Sequence, residues 1–273
     1  MHAASRDALA YISEYLDNNV NDGDNVVAVA AQTGSELFDV VEALDSDRAL
    51  RVAVADASLS ADQRSGLVSA VFAGKVSQFT LDLLIVAARQ VWSSPREFRT
   101  GLVTLGRRAL LRSADKQGQL LIVEDELFRI SRLLDKEAQL TLRLDDRSAD
   151  RVAKRDLLAK VLYGKVTAVT EALALQVIGR PENNAIDDLD SVSRFAASLW
   201  GREVAYVVSA APLNDTQKQA LADKLERIYG RAMSIHLEID ESLLGGMVIR
   251  VGDEVIDGST SGKLERMRSN LVS

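Results

Sequence analysis

Residues 36 to 89 occur a second time as residues 126 to 179. Sliding the chain along itself by ninety positions, with no gap, returns Glu36, Leu37 and Phe38 as Glu126, Leu127 and Phe128, and Leu44 and Asp45 as Leu134 and Asp135. Leu50 recurs as Leu140, Asp56 and Ser58 as Asp146 and Ser148, and Leu67 and Val71 as Leu157 and Val161. The Gly74, Lys75, Val76 triplet returns as Gly164, Lys165, Val166, followed by Thr80 and Leu83 as Thr170 and Leu173. A gapless match of this length is a duplication, so the fold must accommodate one local structure built twice.

Each copy reads as helices. Ser60 followed by Gln63 is a capping box, and Leu67, Val68, Val71 and Phe72 form an apolar stripe that stops at Gly74. The second copy repeats the stripe as Leu157, Leu158, Val161 and Leu162 before Gly164. Gly74 and Gly164 are therefore expected to end helices in the left-handed conformation, and Ser77 and Thr167 to start the next ones. With aromatics at only 5% and Ala, Leu and Val abundant, close-packed helices are favoured over a broad sheet. Pro95 sets a first boundary, with a helix expected from Arg96 to Ala114. After an acidic loop or short helix from Glu182 to Ser191, a last helix from Val192 to Leu199 ends at Trp200 and Gly201 and sets a second.

From residue 202 the periodicity changes. Glu203 to Ser209 is β-branched and strand-like, and Asn214 with Gln217 caps a helix through Tyr229 whose buried face is expected to carry Leu221, Leu225 and Ile228. Ala232 to Ile239 alternates as a second strand. It places Ile235, Leu237 and Ile239 on one face and a solvated His236 with Glu238 on the other. Two short strands, Met247 to Val251 and Glu254 to Asp257, flank a Gly252, Asp253 hairpin turn, and a final helix is expected over about Gly262 to Leu271. The fold class is mainly α: a duplicated N-terminal helical region followed by a small α/β domain, divided as residues 1–94, 95–201 and 202–273.

Several chemistries are disfavoured. A formal charge of −7 and a pI near 5.1, with no concentrated basic face, argue against nucleic acid. There are no cysteines and only two histidines, His2 and His236, so thiolate metal sites are excluded and a Ser-His-Asp triad is poorly supported. Asp17, Asn19 and Asn21 open like a calcium loop, but Asp22 stands where Gly is needed and Ala28 where Glu is needed, which reads as a turn. Asp187, Asp188 and Asp190 lie in a polar linker setting. The glycine-rich end is the one place where a phosphate could sit. Yet Gly258 to Gly262 is one residue short of a phosphate-cradling loop, Asp257 replaces its first Gly and Leu264 its hydroxyl. Gly245, Gly246, Gly252, Asp253, Asp257 and Gly258 are better read as turn residues, and no cofactor or metal is assigned. The apolar runs are too short to span a bilayer, so membrane attachment would go through a partner.

The C-terminal residues carry a resemblance. SAAPLNDTQKQALADKLERIYG, a strand ending at Asp240, and LLGGMVIRVGDEVIDGSTSGKLERM resemble the C-terminal signature of the delta subunit of F-type ATP synthases, the family of the mitochondrial oligomycin-sensitivity-conferring protein. GRRALLRSADK, residues 106 to 116, is similar to that family's first helix, with Gly106 where Tyr is usual. Residues from about 96 onward span an ordinary delta subunit. The preceding residues are a partial second copy of the helical domain, as in the elongated actinobacterial-like form and unlike the form fused to the b subunit.

The resemblance implies a non-catalytic stator subunit, one copy per complex, peripheral on the cytoplasmic side of the cell membrane. In such a subunit the helical domain clasps the N-terminal helices of the α subunits and the C-terminal domain holds the C-terminal helix of the b stalk. Torque from the rotor is thereby resisted and proton transport is coupled to ATP synthesis. The family's groove lies between the first and fifth helices of the bundle. By position this implies Gly106, Ala109, Leu110 and Ser113 on one side and Leu173, Ala174 and Val177 on the other. The same residues could equally pack the bundle's own core. The extra copy is expected to add a second contact and raise the effective concentration of the first. The alternative class is a nucleotide-binding enzyme using the glycine-rich C-terminus.

Overall fold

The computed structural model describes residues 1–20 and 25–264. Ten helices come first: α1 (Ala3–Val20), α2 (Val26–Ser46), α3 (Arg48–Ala53), α4 (Ala61–Phe72), α5 (Gln78–Arg89), α6 (Pro95–Lys116), α7 (Leu120–Lys136), α8 (Ala138–Asp145), α9 (Arg151–Leu162) and α10 (Ala168–Gly179). They are followed by α11 (Ala185–Leu199), β1 (Glu203–Ser209), α12 (Asp215–Tyr229), β2 (Met233–Ile239), β3 (Met247–Val251) and β4 (Glu254–Asp257). The packing divides the chain into two compact units, Met1–Val123 with Arg143–Pro181, and Glu124–Leu142 with Glu182–Ser273. Each of the two boundaries read from the sequence, after residues 94 and 201, falls inside one of these units.

The duplication is visible in where helices begin. α3 and α8, α4 and α9, α5 and α10, and α6 and α11 each start ninety residues apart. The capping chemistry is duplicated with them. Ser60 and Asp150 accept from the backbone N–H three residues on, as do Ser77 and Thr167, and Ser94 and Asn184. Gly74 and Gly164 end their helices at φ +74° and +67°, a conformation open to glycine at no steric cost. The ninety-residue spacing therefore runs past the end of the sequence match, to α6 and α11. That makes α6 the sixth helix of the first copy and the first helix of the second.

The core of the first unit is aliphatic. Ile12, Leu16, Leu37, Leu83, Leu102 and Leu105 are completely buried. Between α1 and α6, Asp17 accepts hydrogen bonds from Arg108 and Arg112. Asp17 and Asn19 thus lie on a helix rather than in the turn expected from the calcium-like spacing, and Asn21 and Asp22 lie outside the described residues.

The second unit contains a four-stranded sheet in the order β2-β1-β3-β4, with β1 parallel to β2 and antiparallel to β3. Alternation sends Ala205, Val207, Ile249 and Val251 to the face covered by Leu225 of α12. Ile228 is not on that buried face: it is 66% exposed, and Tyr229 packs there instead. The apolar stripe follows the i, i+4 row through Leu221, Leu225 and Tyr229, and Ile228 falls to its outer side. α11 begins at Ala185, earlier than expected, because Asn184 caps it. Residues 260–264 are helical, and the rest of the expected final helix lies outside the described residues.

Candidate functional site

The seven groove residues lie on α6 and α10 within the first unit, and all are buried. Ala109, Leu173 and Ala174 have no exposure, and Leu110, Ser113 and Val177 have between 1% and 5%. On α6 much of this burial comes from α2. A methyl group added to Gly106 would meet the Phe38 ring at 2.7 Å, and one added to Gly34 would meet Leu110 at 2.7 Å. Ser113 Oγ donates to the carbonyl of Val27 at 3.0 Å. Two glycines, one on each helix, thus let α2 and α6 approach closely along the side carrying Gly106, Leu110 and Ser113.

α6 is tied to α10 as well. Arg107 Nε donates to Gln176 Oε1 at 2.8 Å. At the end of α10, Arg180 donates to the carbonyl of Phe38 at 3.0 Å and pairs with Glu42 on α2. Arg99 makes a two-pronged contact with Asp45, at 2.6 and 2.8 Å. The cover by α2 was not anticipated from the sequence. The signal was present in Gly34 and Phe38, four residues apart on one helical face, but nothing in the chain says which partner helix that face meets.

The first and fifth helices of the other copy, α1 and α5, are less enclosed. Tyr11 is 55% exposed, and Tyr15, Phe79 and Val86 are half-buried. The Tyr15 hydroxyl is held above its ordinary range by burial, with added repulsion from Asp82 on α5 and Tyr11 on α1.

The glycine-rich C-terminus is filled by its own carboxylate. Asp257 Oδ1 accepts from the Ser259 N–H at 2.9 Å and from Ser259 Oγ at 2.7 Å, and Ser259 Oγ in turn accepts from the Gly262 N–H at 2.9 Å. Amides that would have to converge on a phosphate are spent on a helix cap. Gly246, at φ +77°, approaches the carbonyl of Gly258 so closely that an added methyl would lie 2.4 Å away. The N–H of Gly258 donates to Met247 and that of Thr260 to Gly245. Gly252 and Asp253 connect β3 to β4, whose register pairs Val251 with Glu254.

Two further sequence expectations are corrected in the second unit. His236 is not solvated but 4% exposed, stacked on Phe128 at 4.0 Å and bonded through Nε2 to Glu124 at 3.1 Å. Ser234 donates to the other oxygen of Glu124 at 3.1 Å. Strand alternation put His236 on the correct face, but that face is covered by α7, a long-range contact that alternation does not report. Asp188 is not in a linker either. It is 5% exposed on α11, where it accepts from the N–H groups of Glu182 and Asn183. Asp190 accepts from the Tyr206 hydroxyl at 2.7 Å, and burial together with this contact holds the tyrosine proton well above its ordinary range. These carboxylates build the structure.

Comparison with known proteins agrees with the features of the C-terminal half. Residues 108–271 match the family described as "ATP synthase delta (OSCP) subunit". The chain is 72% identical over 273 residues to the ATP synthase subunit delta of Corynebacterium diphtheriae, covering all of both chains. It is 72% identical over 272 residues to that of Corynebacterium efficiens, covering 100% of this chain and 99% of the other. A chain of the Toxoplasma gondii mitochondrial ATP synthase hexamer aligns at 21% identity and a TM-score of 0.34, covering 61% of this chain and 95% of that one. The chain belongs to the ATP synthase delta (OSCP) subunit family.

Proposed function

We propose that this chain, a non-catalytic peripheral-stalk subunit of F-type ATP synthase, forms the joint between the catalytic head and the b stalk. In this reading its helical unit receives the N-terminal helices of the α subunits and its C-terminal unit receives the C-terminal helix of the b stalk. One copy acts per complex, on the cytoplasmic side of the membrane, and none of the described helices is long and apolar enough to cross it. The observation that carries the assignment to the stalk is the family match over residues 108–271, extended to the whole chain by relatives of equal length.

The packing bears on where the α helix docks. Gly106, Ala109, Leu110, Ser113, Leu173, Ala174 and Val177 form the floor behind such a groove, and a helix could reach them only by displacing what covers them. α1 and α5 stand at the same places in the first copy and keep an aromatic, half-open face. A helix can lie there with its apolar stripe on Tyr11 and Val86 without unpacking the bundle. The b helix is assigned to the C-terminal unit as a whole.

The test is co-elution of the full chain with two peptides, one from the N-terminus of the α chain and one from the C-terminus of the b chain. Both are expected to bind, and Tyr11→Asp should weaken only the α peptide, by about tenfold, the effect of placing a charge in an apolar contact. Binding of ATP with neither peptide bound would return the assignment to an enzyme using the glycine-rich C-terminus.

A further inference from the structure

The second unit contains an open cleft of about 750 Å³ between α11 and the face of the sheet opposite α12. Its floor is Tyr206, Val208 and Val248. One wall is the outward stripe of α11, spaced as Asp187, Asp190, Arg194 and Ser198. One contact described above crosses it, the hydrogen bond from the Tyr206 hydroxyl to Asp190; Val208 and Val248 stay half-buried beside it.

The charges around it are unevenly matched. Arg132 pairs with Glu238 at 3.6 Å, Arg194 with Asp190 at 3.6 Å and Arg231 with Glu203 at 4.0 Å. Asp187 accepts from the side chain of Asn184. Arg202 lies over the Trp200 ring at 5.4 Å, and Arg250 is exposed on β3. No carboxylate among the described residues pairs with either. The lining holds five arginines and four carboxylates, a surplus of one positive charge, with Arg202 and Arg250 at the edge of the valine floor, which calls for an occupant with an apolar stripe and carboxylates beside it. Arg202 to Val208 spans about 20 Å along the strand at about 3.3 Å per residue. About thirteen residues of helix cover the same length.

We propose that this cleft is the docking surface of the C-terminal unit and that its occupant is an acidic amphipathic helix, with carboxylates set against Arg202 and Arg250. The inference rests on the stator reading and deepens it by naming the surface and the chemistry of the stalk partner. Arginine suits the role because its planar fork holds a carboxylate through two hydrogen bonds.

The test uses the full chain and two fluorescent helical peptides of about sixteen residues. They share one leucine stripe, spaced for a single helical face, and are flanked in one by Glu and in the other by Lys. Binding is followed by anisotropy, beside the C-terminal helix of the b stalk as a third ligand. The Glu peptide should bind at least tenfold more tightly than the Lys peptide, with an advantage that shrinks as salt rises. Arg202→Glu with Arg250→Glu should reverse the preference. Arg250→Glu alone, which leaves the stack on Trp200 intact, should remove part of it, and circular dichroism should match the wild type in both. Equal binding of the two peptides, or a double variant that behaves as wild type, overturns the proposal. If the b helix binds and ignores the double variant, the cleft is wrong and the stator reading stands. If the Glu peptide binds and the b helix does not, the cleft stands and the stator reading falls.

Discussion

Gly106 has no room for a methyl group, because the Phe38 ring occupies the space at 2.7 Å. Gly106→Ala must push that ring away or separate α2 from α6, and overpacking of this kind costs about 1–3 kcal/mol. Phe38→Leu in the same chain relieves the collision, so the double variant should lose less than the sum of the two single losses in urea unfolding. Simple additivity would mean that the two residues do not meet. Asp17 supplies a pH dependence at the same scale. Burial raises its pKa, but hydrogen bonds from Arg108 and Arg112 outweigh burial and the net direction is down. A carboxyl whose folded pKa lies below its unfolded value contributes stability at pH above the unfolded value, about 3.9, and loses that contribution as pH falls toward the folded one. Asp17→Asn removes this contribution, so unfolding free energy measured from pH 6 to pH 2 should fall less steeply in the variant than in the wild type.

Helices were legible in the sequence wherever the signal is local. A side-chain cap lies three residues from its N–H and a left-handed glycine acts within one turn. Ser60, Ser77, Thr167 and Asn214 accordingly start helices where the sequence reading placed them. The strands at Met247–Val251 and Glu254–Asp257 follow from the Gly252, Asp253 turn in the same way. Contacts between elements were not legible. Arg64 carries a charge on α4, yet it is 6% exposed and donates to the carbonyls of Leu59, Ala88, Arg89 and Gln90, closing the C-terminus of α5 from another helix. Lys154 stands ninety residues on and is equally buried. The burial of His236 and of Asp188 was missed for the same reason, since each is completed by a group distant in sequence or by a loop whose path periodicity does not encode. For the candidate groove, spacing and resemblance identified the helices and their small residues. They did not show that α2, arriving from the first copy, lies against α6.

The molecule as a whole is constrained by the sharing of α6. Were the first ninety-four residues an independent domain, a chain beginning at Pro95 would keep the second copy intact. The packing predicts otherwise. That deletion removes Phe38 from Gly106, the Asp17 carboxylate from Arg108 and Arg112, and Trp92, whose ring a methyl on Gly101 would meet at 2.4 Å. It also uncovers Leu110 and the Ser113 hydroxyl. Exposing a buried leucine costs about 1.5–3 kcal/mol, and leaving two arginines without their carboxylate adds to it. Several such losses together are comparable to the roughly 5–15 kcal/mol that separates a folded domain from its unfolded chain. The truncated chain should therefore melt at lower temperature and with less cooperativity than the full chain, and should bind a dye specific for exposed apolar surface. Loss of binding to the α peptide after this truncation would then report a damaged bundle as well as a missing contact. Tyr11→Asp, which leaves the α2–α6 packing in place, separates the two. A truncated chain that melts as the full chain does would show that α6 carries its cover by α2 without depending on it.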